Sequence, residues 1–325
     1  MRIYDEALCK QLITVSEAIE VIRNVFSIGQ DADHHMVPKT YLDINKDGNL
    51  HGDFRAMPAR MGNISGIKWV SVFPHNAKSN SHPTVMATIL LSSSETGEPL
   101  AVLDAGYITN IRTAAAAAVA SEKLSRKGSK VAAFIGCGGQ TMLHVKAINS
   151  VIPTLDTFVF YDLDQRRAES MANRWHESTG HKSLVANCPE LCVKDADILT
   201  TLTPSREPIV QGQWLKQGVH INAMGADAEG KREFDNESYN RVDLWTYDDI
   251  IQASHSGETQ HVSSTKASEA DYIGEIPRQH SSTQITLFDS TGIALQDIAV
   301  ASWIYQKDLQ QEDLYYTEGS QHGHV

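Results

Sequence analysis

The spacing of apolar residues along the chain changes from a helical period to a strand-like one and back. The segment "TVSEAIEVIRNVF" opens with a capping-box pair, Thr14 and Glu17, and places its apolar residues on one helical face. Residues 36–105 contain strand-like runs separated by turn residues, among them "GIKWVSVFP" and "TVMATILLSS". The alanine-rich segment "TNIRTAAAAAVASEKLS" favours a helix. These patterns predict a first domain that mixes strands and helices.

A second alternation begins at Lys130. Short apolar runs such as "VAAFIGCGG", "TFVFYDLD", "ADILTTLT" and "ITLFDSTG" are separated by helical segments, which is typical of a parallel, doubly wound sheet. The amphipathic segment "IALQDIAVASWIYQ" predicts a last helix that returns to the first domain. We therefore predict an α/β protein in which residues 1–115 and 300–325 form an α+β domain and residues 116–299 form a dinucleotide-binding domain.

Composition narrows the range of partners. The 325 residues carry a formal net charge of −12, which disfavours nucleic acid and anionic membranes. No apolar run reaches the roughly 18 residues that a membrane span needs. The four cysteines are few and scattered, as in a reducing cytoplasm, and Cys188 and Cys192 lack a second pair of metal ligands. We expect a cytoplasmic protein without a metal site.

The stretch "FIGCGGQTM" predicts a dinucleotide-binding turn. Gly136 suits a tight strand-to-helix turn, and Gly138 lets the backbone approach a pyrophosphate, followed by Gly139 and Gln140. The helix that follows presents free N–H groups and a positive dipole end. The third fingerprint position is Thr141, where Gly or Ala is usual. Taken alone, the motif is also compatible with an ordinary glycine-rich turn.

The end of the next strand supports the dinucleotide interpretation. Asp162 lies 26 residues after Gly136, where an acid accepts hydrogen bonds from ribose hydroxyls and repels a 2′-phosphate. This favours NAD, although the neighbouring Arg166 and Arg167 leave NADP open. Asp164 suits the N-cap of the following helix better, which would leave Asp162 free for the cofactor.

Three cations lie in or beside apolar segments of the first domain: Arg55, Lys68 and Arg112. A buried cation normally needs an anionic partner, although surface snorkelling is the alternative for each of them. Lys68 is flanked by apolar residues, with no acid in its strand. Converging cations without a local acid would suit a substrate carboxylate, and Lys68 could also polarise a carbonyl or imine.

From about residue 14 to 306 the chain resembles the ornithine cyclodeaminase/mu-crystallin family. The resemblance rests on "MPARMGNISGIKWVSVFPHN", "ETGEPLAVLDAGYITNIRTAAAAAVA", "FIGCGGQTMLH", "HINAMGADAEGKREFD" and "FDSTGIALQD", in this order and spacing. It implies a homodimer whose cofactor domain is of Rossmann type. It also implies that the first domain and the last helix provide dimerisation and substrate binding.

The resemblance also implies roles for individual residues. Lys68 and Arg112 would bind the substrate carboxylate, with Lys39 as a further ligand where relatives often have Arg. Thr113 would face the cofactor, as would Thr84. Thr203 and Asn222, in later strand-like runs, complete the predicted cofactor contacts.

Asp227 lies in "GADAEGKREF", which resembles the "GxDxxGKxEL" stretch of the deaminating members. In those enzymes the resemblance implies that this acid moves protons on the amino group or on the attacking water. Mu-crystallin-like members replace the acid, typically with Ser. A turn cap is the structural alternative for Asp227.

Arg55 precedes "AMP", at the position where the resemblance implies an acid in cyclodeaminases. The chain therefore resembles the alanine dehydrogenase-like branch more than the cyclodeaminases. We expect NAD-dependent deamination of a small L-amino acid such as alanine. Reduction of a cyclic imine such as pyrroline-2-carboxylate or piperideine-2-carboxylate is the main alternative. Ornithine cyclodeamination and a non-catalytic, mu-crystallin-like binding role are weaker ones. An acidic, opine-type substrate stays open, because three or four cations exceed what one carboxylate needs.

Overall fold

Two compact units make up the chain. A computed structural model describes residues 1–29, 31, 33–46, 49–76, 82–278 and 281–320. One unit comprises Met1–Arg112 with Ile293–Val325, and the other comprises Thr113–Gly292. Each unit combines helices with a β-sheet, so the predicted α/β class is confirmed. None of the described helices is long and apolar enough to cross a membrane.

The first unit is built on a seven-stranded sheet. Its strands are β1 (Arg2–Tyr4), β2 (His34–Met36), β3 (Thr40–Lys46), β4 (Asn49–Met61), β5 (Ile64–Val72), β6 (Val85–Ser93) and β7 (Pro99–Asp104). Their order is β1-β7-β6-β5-β4-β2, and β3 also pairs with β4. The pairs are antiparallel except for β1 with β7. The β-rich character of residues 36–105 is confirmed, whereas β1 was not predicted.

Helices α1 (Glu6–Leu12), α2 (Val15–Ile28) and α10 (Ala294–Ser320) belong to the first unit. The predicted capping box of α2 is confirmed, because Thr14 N donates to Glu17 Oε2 at 2.8 Å and Glu17 N donates to Thr14 Oγ1 at 3.3 Å. The alanine-rich helix α3 (Gly106–Leu124) begins in this unit. The last helix contacts β4, β5 and α2, as predicted.

An eight-stranded sheet forms the centre of the second unit. Its strands are β8 (Val131–Ile135), β9 (Thr157–Tyr161), β10 (Lys182–Val185), β11 (Ile198–Thr201), β12 (His220–Ala223), β13 (Leu244–Tyr247), β14 (Asp271–Tyr272) and β15 (Thr286–Asp289). Its helices are α4 (Thr141–Val151), α5 (Gln165–Thr179), α6 (Pro189–Val193), α7 (Asn236–Arg241), α8 (Ile250–Ser256) and α9 (Ser264–Ser268). Two 3₁₀ turns lie at Gly212–Trp214 and Glu258–His261.

The strand order of this sheet is β10-β9-β8-β11-β12-β15-β13-β14, and the pairs between these strands are parallel. The chain runs outward from β8 to β10, returns to β11 beside β8, and continues on the other side. This is the Rossmann-type, doubly wound topology that the sequence predicted, although the short strands β10 and β14 were not foreseen. Ligands of such sheets bind at the carboxyl ends of the strands where the order reverses, here β8 and β11.

Candidate active site

The turn from β8 to α4 has the features of a phosphate-binding turn. Gly136 has φ +94°, a left-handed value that favours glycine, and a Cβ there would lie 3.0 Å from Leu202 O. At Gly138 and Gly139 a Cβ would meet no described atom within 4 Å, so the backbone is open to an approaching ligand. The three glycines therefore have two different roles. Gly136 allows the tight turn, and Gly138 and Gly139 leave its backbone without side chains that would block a ligand.

Thr141 explains the departure from the usual glycine fingerprint. Its side chain is buried, and its hydroxyl donates to Gly136 O at 2.8 Å, which closes the turn. No side chain caps α4 at Gln140, which leaves the N-terminus of the helix suited to a ligand phosphate. These residues fit a dinucleotide pyrophosphate.

Asp162 follows β9 and is placed beside this turn. Its Oδ2 accepts from Cys137 N at 2.8 Å, and its Oδ1 accepts from Asp164 N at 2.9 Å. Asp164 does cap α5, accepting from Arg166 N at 3.2 Å. The expectation that Asp164 rather than Asp162 caps this helix is confirmed, and the Asp162 carboxylate instead holds the glycine turn in place. A carboxylate offers about four lone-pair sites, so it can still accept from ribose hydroxyls.

Thr203 and Asn222 differ in what they could offer a cofactor. Thr203 follows β11 and donates through its N and Oγ1 to Glu233 Oε1 at 2.8 and 2.7 Å. Asn222 is fully buried in β12, where its amide nitrogen donates to Ser121 Oγ at 2.9 Å and its Oδ1 lies 3.1 Å from His220 Nε2. This burial favours a structural role for Asn222 over cofactor contact.

Asp227 lies on the loop after β12 and forms an ion pair with Lys231. The Asp227 side chain is 33% exposed, so its carboxylate can reach a ligand. Gly225 begins the loop, and a Cβ there would clash with Thr203 O. The pairing of Lys231 with Asp227 was not predicted, although their spacing of four residues within one motif was a usable signal.

Glu233 ties the Asp227 loop to the Thr203 loop. Its Oε2 accepts from Thr201 Oγ1 at 2.6 Å and from Gly225 N at 3.0 Å, while its other oxygen holds Thr203. The side chain is fully buried, and burial raises its pKa. Glu233 was not predicted as a site residue, because the sequence of a polar loop does not reveal that one of its acids folds inward.

Two further buried acids, Glu258 and Asp289, are linked to Glu233 by hydrogen bonds from backbone N–H groups to side-chain carboxylates. Glu233 N donates to Glu258 Oε1 at 2.8 Å, and Glu258 N donates to Asp289 Oδ1 at 3.1 Å. Burial and the nearby Glu233 charge raise the pKa of Glu258 well above its usual range, and burial raises the pKa of Asp289 to about 7. These acids lie behind the loops and brace them.

In the first unit, one face of the sheet carries the predicted cations. Arg55 pairs with Val70, and Met57 pairs with Lys68, so alternation places Arg55 and Lys68 on the same face of neighbouring strands. We call this the inner face. It is the face that α10 covers, since a Cβ at Gly66 would lie 2.7 Å from Ile298 Cδ1.

Lys68 and Arg112 share a resident carboxylate, Asp297, from the first turn of α10. Lys68 Nζ lies 2.7 Å from Asp297 Oδ2, and Arg112 Nε donates to Asp297 Oδ1 at 2.9 Å. Arg112 Nη1 also donates to Gln296 Oε1 at 3.0 Å. The expectation of cations without an acid was wrong, because the partner comes from the opposite end of the chain. Lys68 and Asp297 are at most 1% exposed.

Arg55 also has an acidic partner on the inner face. Its Nε donates to Asp53 Oδ1 at 2.6 Å, and its guanidinium lies 5.4 Å from the centre of the Tyr41 ring. Both contacts hold the buried guanidinium close to the sheet. The surface-snorkelling alternative is excluded for Arg55, Lys68 and Arg112, because all three are buried.

Three more residues were predicted to contact the substrate or the cofactor: Lys39, Thr84 and Thr113. Lys39 is half-buried just before β3, and its charge acts on Lys68. Thr84 is half-buried just before β6, and Thr113 is buried on α3 directly after Arg112. Burial, together with the charges of Arg112 and Lys39, lowers the pKa of Lys68 to about 7, and Asp297 opposes that shift.

A sequence model of the ornithine cyclodeaminase/mu-crystallin family matches residues 4–312. The chain belongs to this family. The match extends slightly beyond the stretch that carried the resemblance at both ends, and it confirms the family prediction.

Several relatives within the family are close over nearly their whole length. An alanine dehydrogenase from Archaeoglobus fulgidus is 38% identical over 311 residues, covering 93% of each chain. The structure of an archaeal alanine dehydrogenase dimer with bound NAD superposes with a TM-score of 0.88 at 36% identity, covering 96% of this chain and 97% of that one. The Δ1-pyrroline-2-carboxylate reductase of Thermococcus litoralis, in complex with NADH and L-proline, gives 0.89 at 27% identity, covering 96% and 98%.

Proposed function

We propose that this chain catalyses the reversible oxidative deamination of a small L-amino acid such as alanine. It is an NAD(P)-dependent oxidoreductase that acts on CH–NH₂ or C=N bonds, and its cofactor is NAD. The proposal specifies the substrate within that class. The amino acid, NAD⁺ and water are converted to the 2-oxo acid anion, ammonium, NADH and a proton.

The observation that carries this choice is the charge of the inner face. Three cations, Arg55, Lys68 and Arg112, are paired with two carboxylates, Asp53 and Asp297. By the same alternation Asp43, which pairs with Asp53, adds a third acid to this face. Buried cations held in place by resident acids suit a substrate that carries a carboxylate.

Lys68 and Arg112 would bind the substrate carboxylate. Arg112 uses its Nε–H and one Nη1 N–H for Asp297 and Gln296, whereas a guanidinium has five N–H donors. The remaining donors can hold a carboxylate while Asp297 fixes the other edge. Lys68, as an ammonium ion, would add a second charge to this carboxylate and polarise the carbonyl or imine carbon beside it.

Asp227 would move the protons. Bound NAD⁺ would supply the acceptor for the hydride that leaves Cα of the amino acid. The substrate is left as an iminium ion, to which water adds before ammonia leaves, and each of those steps needs a base or an acid. Asp227 would take a proton from the attacking water and return it to the departing nitrogen. Lys231 would hold the carboxylate in position between these transfers.

Reduction of a cyclic imine is the second candidate, and the TM-score of 0.89 to the pyrroline-2-carboxylate reductase supports it. That reaction shares the hydride step but keeps the nitrogen in the product. Ornithine cyclodeamination is less well supported, because the buried cation Arg55 stands where cyclodeaminases are expected to have an acid. Asp227 argues against a non-catalytic, mu-crystallin-like role.

We also propose that two copies pair through the outer face of the first unit's sheet. The residues there that face away from Lys68 include Leu42, Trp69, Met86 and Leu90, each more than one-third exposed. Apolar side chains gathered on one sheet face are typical of a protein interface. One structural relative is an alanine dehydrogenase dimer.

Turnover on a substrate panel tests the proposed reaction. NADH consumption is followed with pyruvate and ammonia, with pyruvate alone, and with each of the two cyclic imines, alongside ornithine with NAD⁺. We expect turnover of pyruvate only when ammonia is present. A much higher kcat/KM for either cyclic imine would replace the proposal with the second candidate.

A variant pair tests the role of Asp227. Asp227→Asn should lower kcat for deamination by about 10²-fold or more while NADH still binds. Glu229→Gln serves as the control, because it removes an exposed carboxylate from the same loop and should retain activity. If Asp227→Asn turns over normally, the carboxylate is only a turn cap.

A further inference from the structure

The last helix delivers one carboxylate to two cations at once. Asp297 is fully buried in the first turn of α10, where the helix dipole favours an acid. Its two oxygens are divided between Lys68 Nζ, at 2.7 Å, and Arg112 Nε, at 2.9 Å. Neither cation can move without breaking a buried ion pair.

A glycine in β5 makes this contact possible. Gly66 lies two residues before Lys68 on the inner face, and a Cβ there would lie 2.7 Å from Ile298 Cδ1 and 2.8 Å from Leu90 O. A side chain at this position would push α10 away from the sheet. Because Ile298 directly follows Asp297, the same displacement would carry the carboxylate away from Lys68.

The other charged groups around Lys68 do not replace Asp297. Arg112 from α3 and Lys39 from the segment before β3 are cations, and both disfavour an ammonium ion at Lys68. Arg55 on β4 has Asp53 as its own partner. Burial acts in the same direction as the two cations and brings the pKa of Lys68 to about 7.

We propose that Asp297 is a positioning residue that orients Lys68 and Arg112 as one rigid unit and keeps Lys68 in its ammonium form. The proposal rests on the proposed function of Lys68 and Arg112 as ligands of the substrate carboxylate. Asp297 makes no contact with substrate in this scheme. It acts through the two cations that it holds in place.

The pH dependence of catalysis gives the first test. Carboxylate binding needs the Lys68 ammonium ion, so kcat/KM falls as pH rises through the pKa of Lys68. Asp297→Asn keeps the shape of the side chain but removes its charge, which lowers that pKa. The alkaline limb of kcat/KM should therefore move to lower pH by about one unit or more. Protonation of ammonia affects wild type and variants equally, so the difference between them isolates the enzyme.

Two further variants act as matched controls. Lys39→Gln removes a cation that acts on Lys68 and should move the alkaline limb to higher pH. Lys68→Arg keeps its charge at any accessible pH and should abolish the limb. A limb that persists in Lys68→Arg would refute the proposed role of Lys68 itself. The role of Asp297 would be overturned if the alkaline limb moves in Lys39→Gln but stays in place in Asp297→Asn, with the activity of Asp297→Asn lowered equally at every pH.

Asp297→Glu separates position from charge and decides the matter if Asp297→Asn does not fold. The longer side chain keeps the negative charge but displaces both ion pairs. We expect an unmoved alkaline limb and a KM for the carboxylate substrate raised by about tenfold or more. The affinity for NADH should stay as in wild type. A wild-type KM in Asp297→Glu would overturn the positioning role.

Discussion

Replacing Gly138 by alanine separates cofactor binding from folding. A Cβ at Gly138 would meet no described atom within 4 Å, and the φ of this residue lies outside the left-handed region. The substitution should therefore leave the protein without cofactor as stable as wild type, or slightly more stable, because alanine restricts the unfolded chain. The new methyl group would occupy the open side of the turn, where the pyrophosphate must approach.

The expected loss of affinity follows from the hydrogen bonds at that turn. A hydrogen bond to a charged phosphate contributes about 1.5–3 kcal/mol. Displacing the pyrophosphate enough to lose one of them should weaken NADH binding by about 10- to 100-fold, since each 1.4 kcal/mol is a factor of ten. Gly136→Ala is the contrasting variant. Its φ of +94° and the 3.0 Å approach to Leu202 O should destabilise the fold itself.

Fluorescence titration gives the Kd of NADH, and thermal melts with and without NADH give stability. For Gly138→Ala we expect an unchanged melting temperature without NADH and a much smaller increase at a fixed NADH concentration. A Kd equal to that of wild type would refute the assignment of this turn to the pyrophosphate. A large drop in the melting temperature without NADH would show that the space beside Gly138 is filled.

Three further predictions concern other parts of the molecule. Lys231→Gln should lower kcat by about tenfold because Asp227 loses the ammonium ion that holds it, and Lys231→Arg should retain most activity; equal kcat values for both variants would contradict this. Asp289 has a pKa of about 7 in the fold and about 4 when unfolded, so the folded state binds more protons between these values. The free energy of unfolding should fall as pH rises from about 4 to 7, and Asp289→Asn should flatten that slope in denaturant titrations at several pH values; an unchanged slope would exclude Asp289 as its source. Trp69→Lys should yield monomers in light scattering, whereas a dimer that persists would place the interface elsewhere.

Elements with strong local signals were predictable from the sequence. The capping box of α2, the alanine-rich α3 and the central strands of both sheets each depend on residues that are neighbours in the chain. Short edge strands were not foreseen. The three-residue β1 pairs with β7, about 100 residues further along the chain, and too few of its residues alternate to produce a period. Its existence depends on the sheet that it joins.

The same distinction applies to the candidate site. The glycine turn and Asp162 could be predicted because a strand, a turn and a helix follow each other directly in the chain. The pairing of Glu233 with Thr203 and Gly225 could not, because it closes across two loops that become neighbours only when β11 and β12 pair. Composition offers no signal for it, since an acid in a polar loop is normally solvated.

Lys68 shows how a sound physical premise can lead to an incomplete conclusion. A lysine among apolar residues predicts burial, and burial predicts an anionic partner. Both steps agree with the structure, where Lys68 is 1% exposed and paired. The sequence cannot say which anion it is, because the acid lies in the last helix and reaches β5 only through the close approach at Gly66. The protein supplies this anion itself, and a count of cations along the chain cannot reveal it.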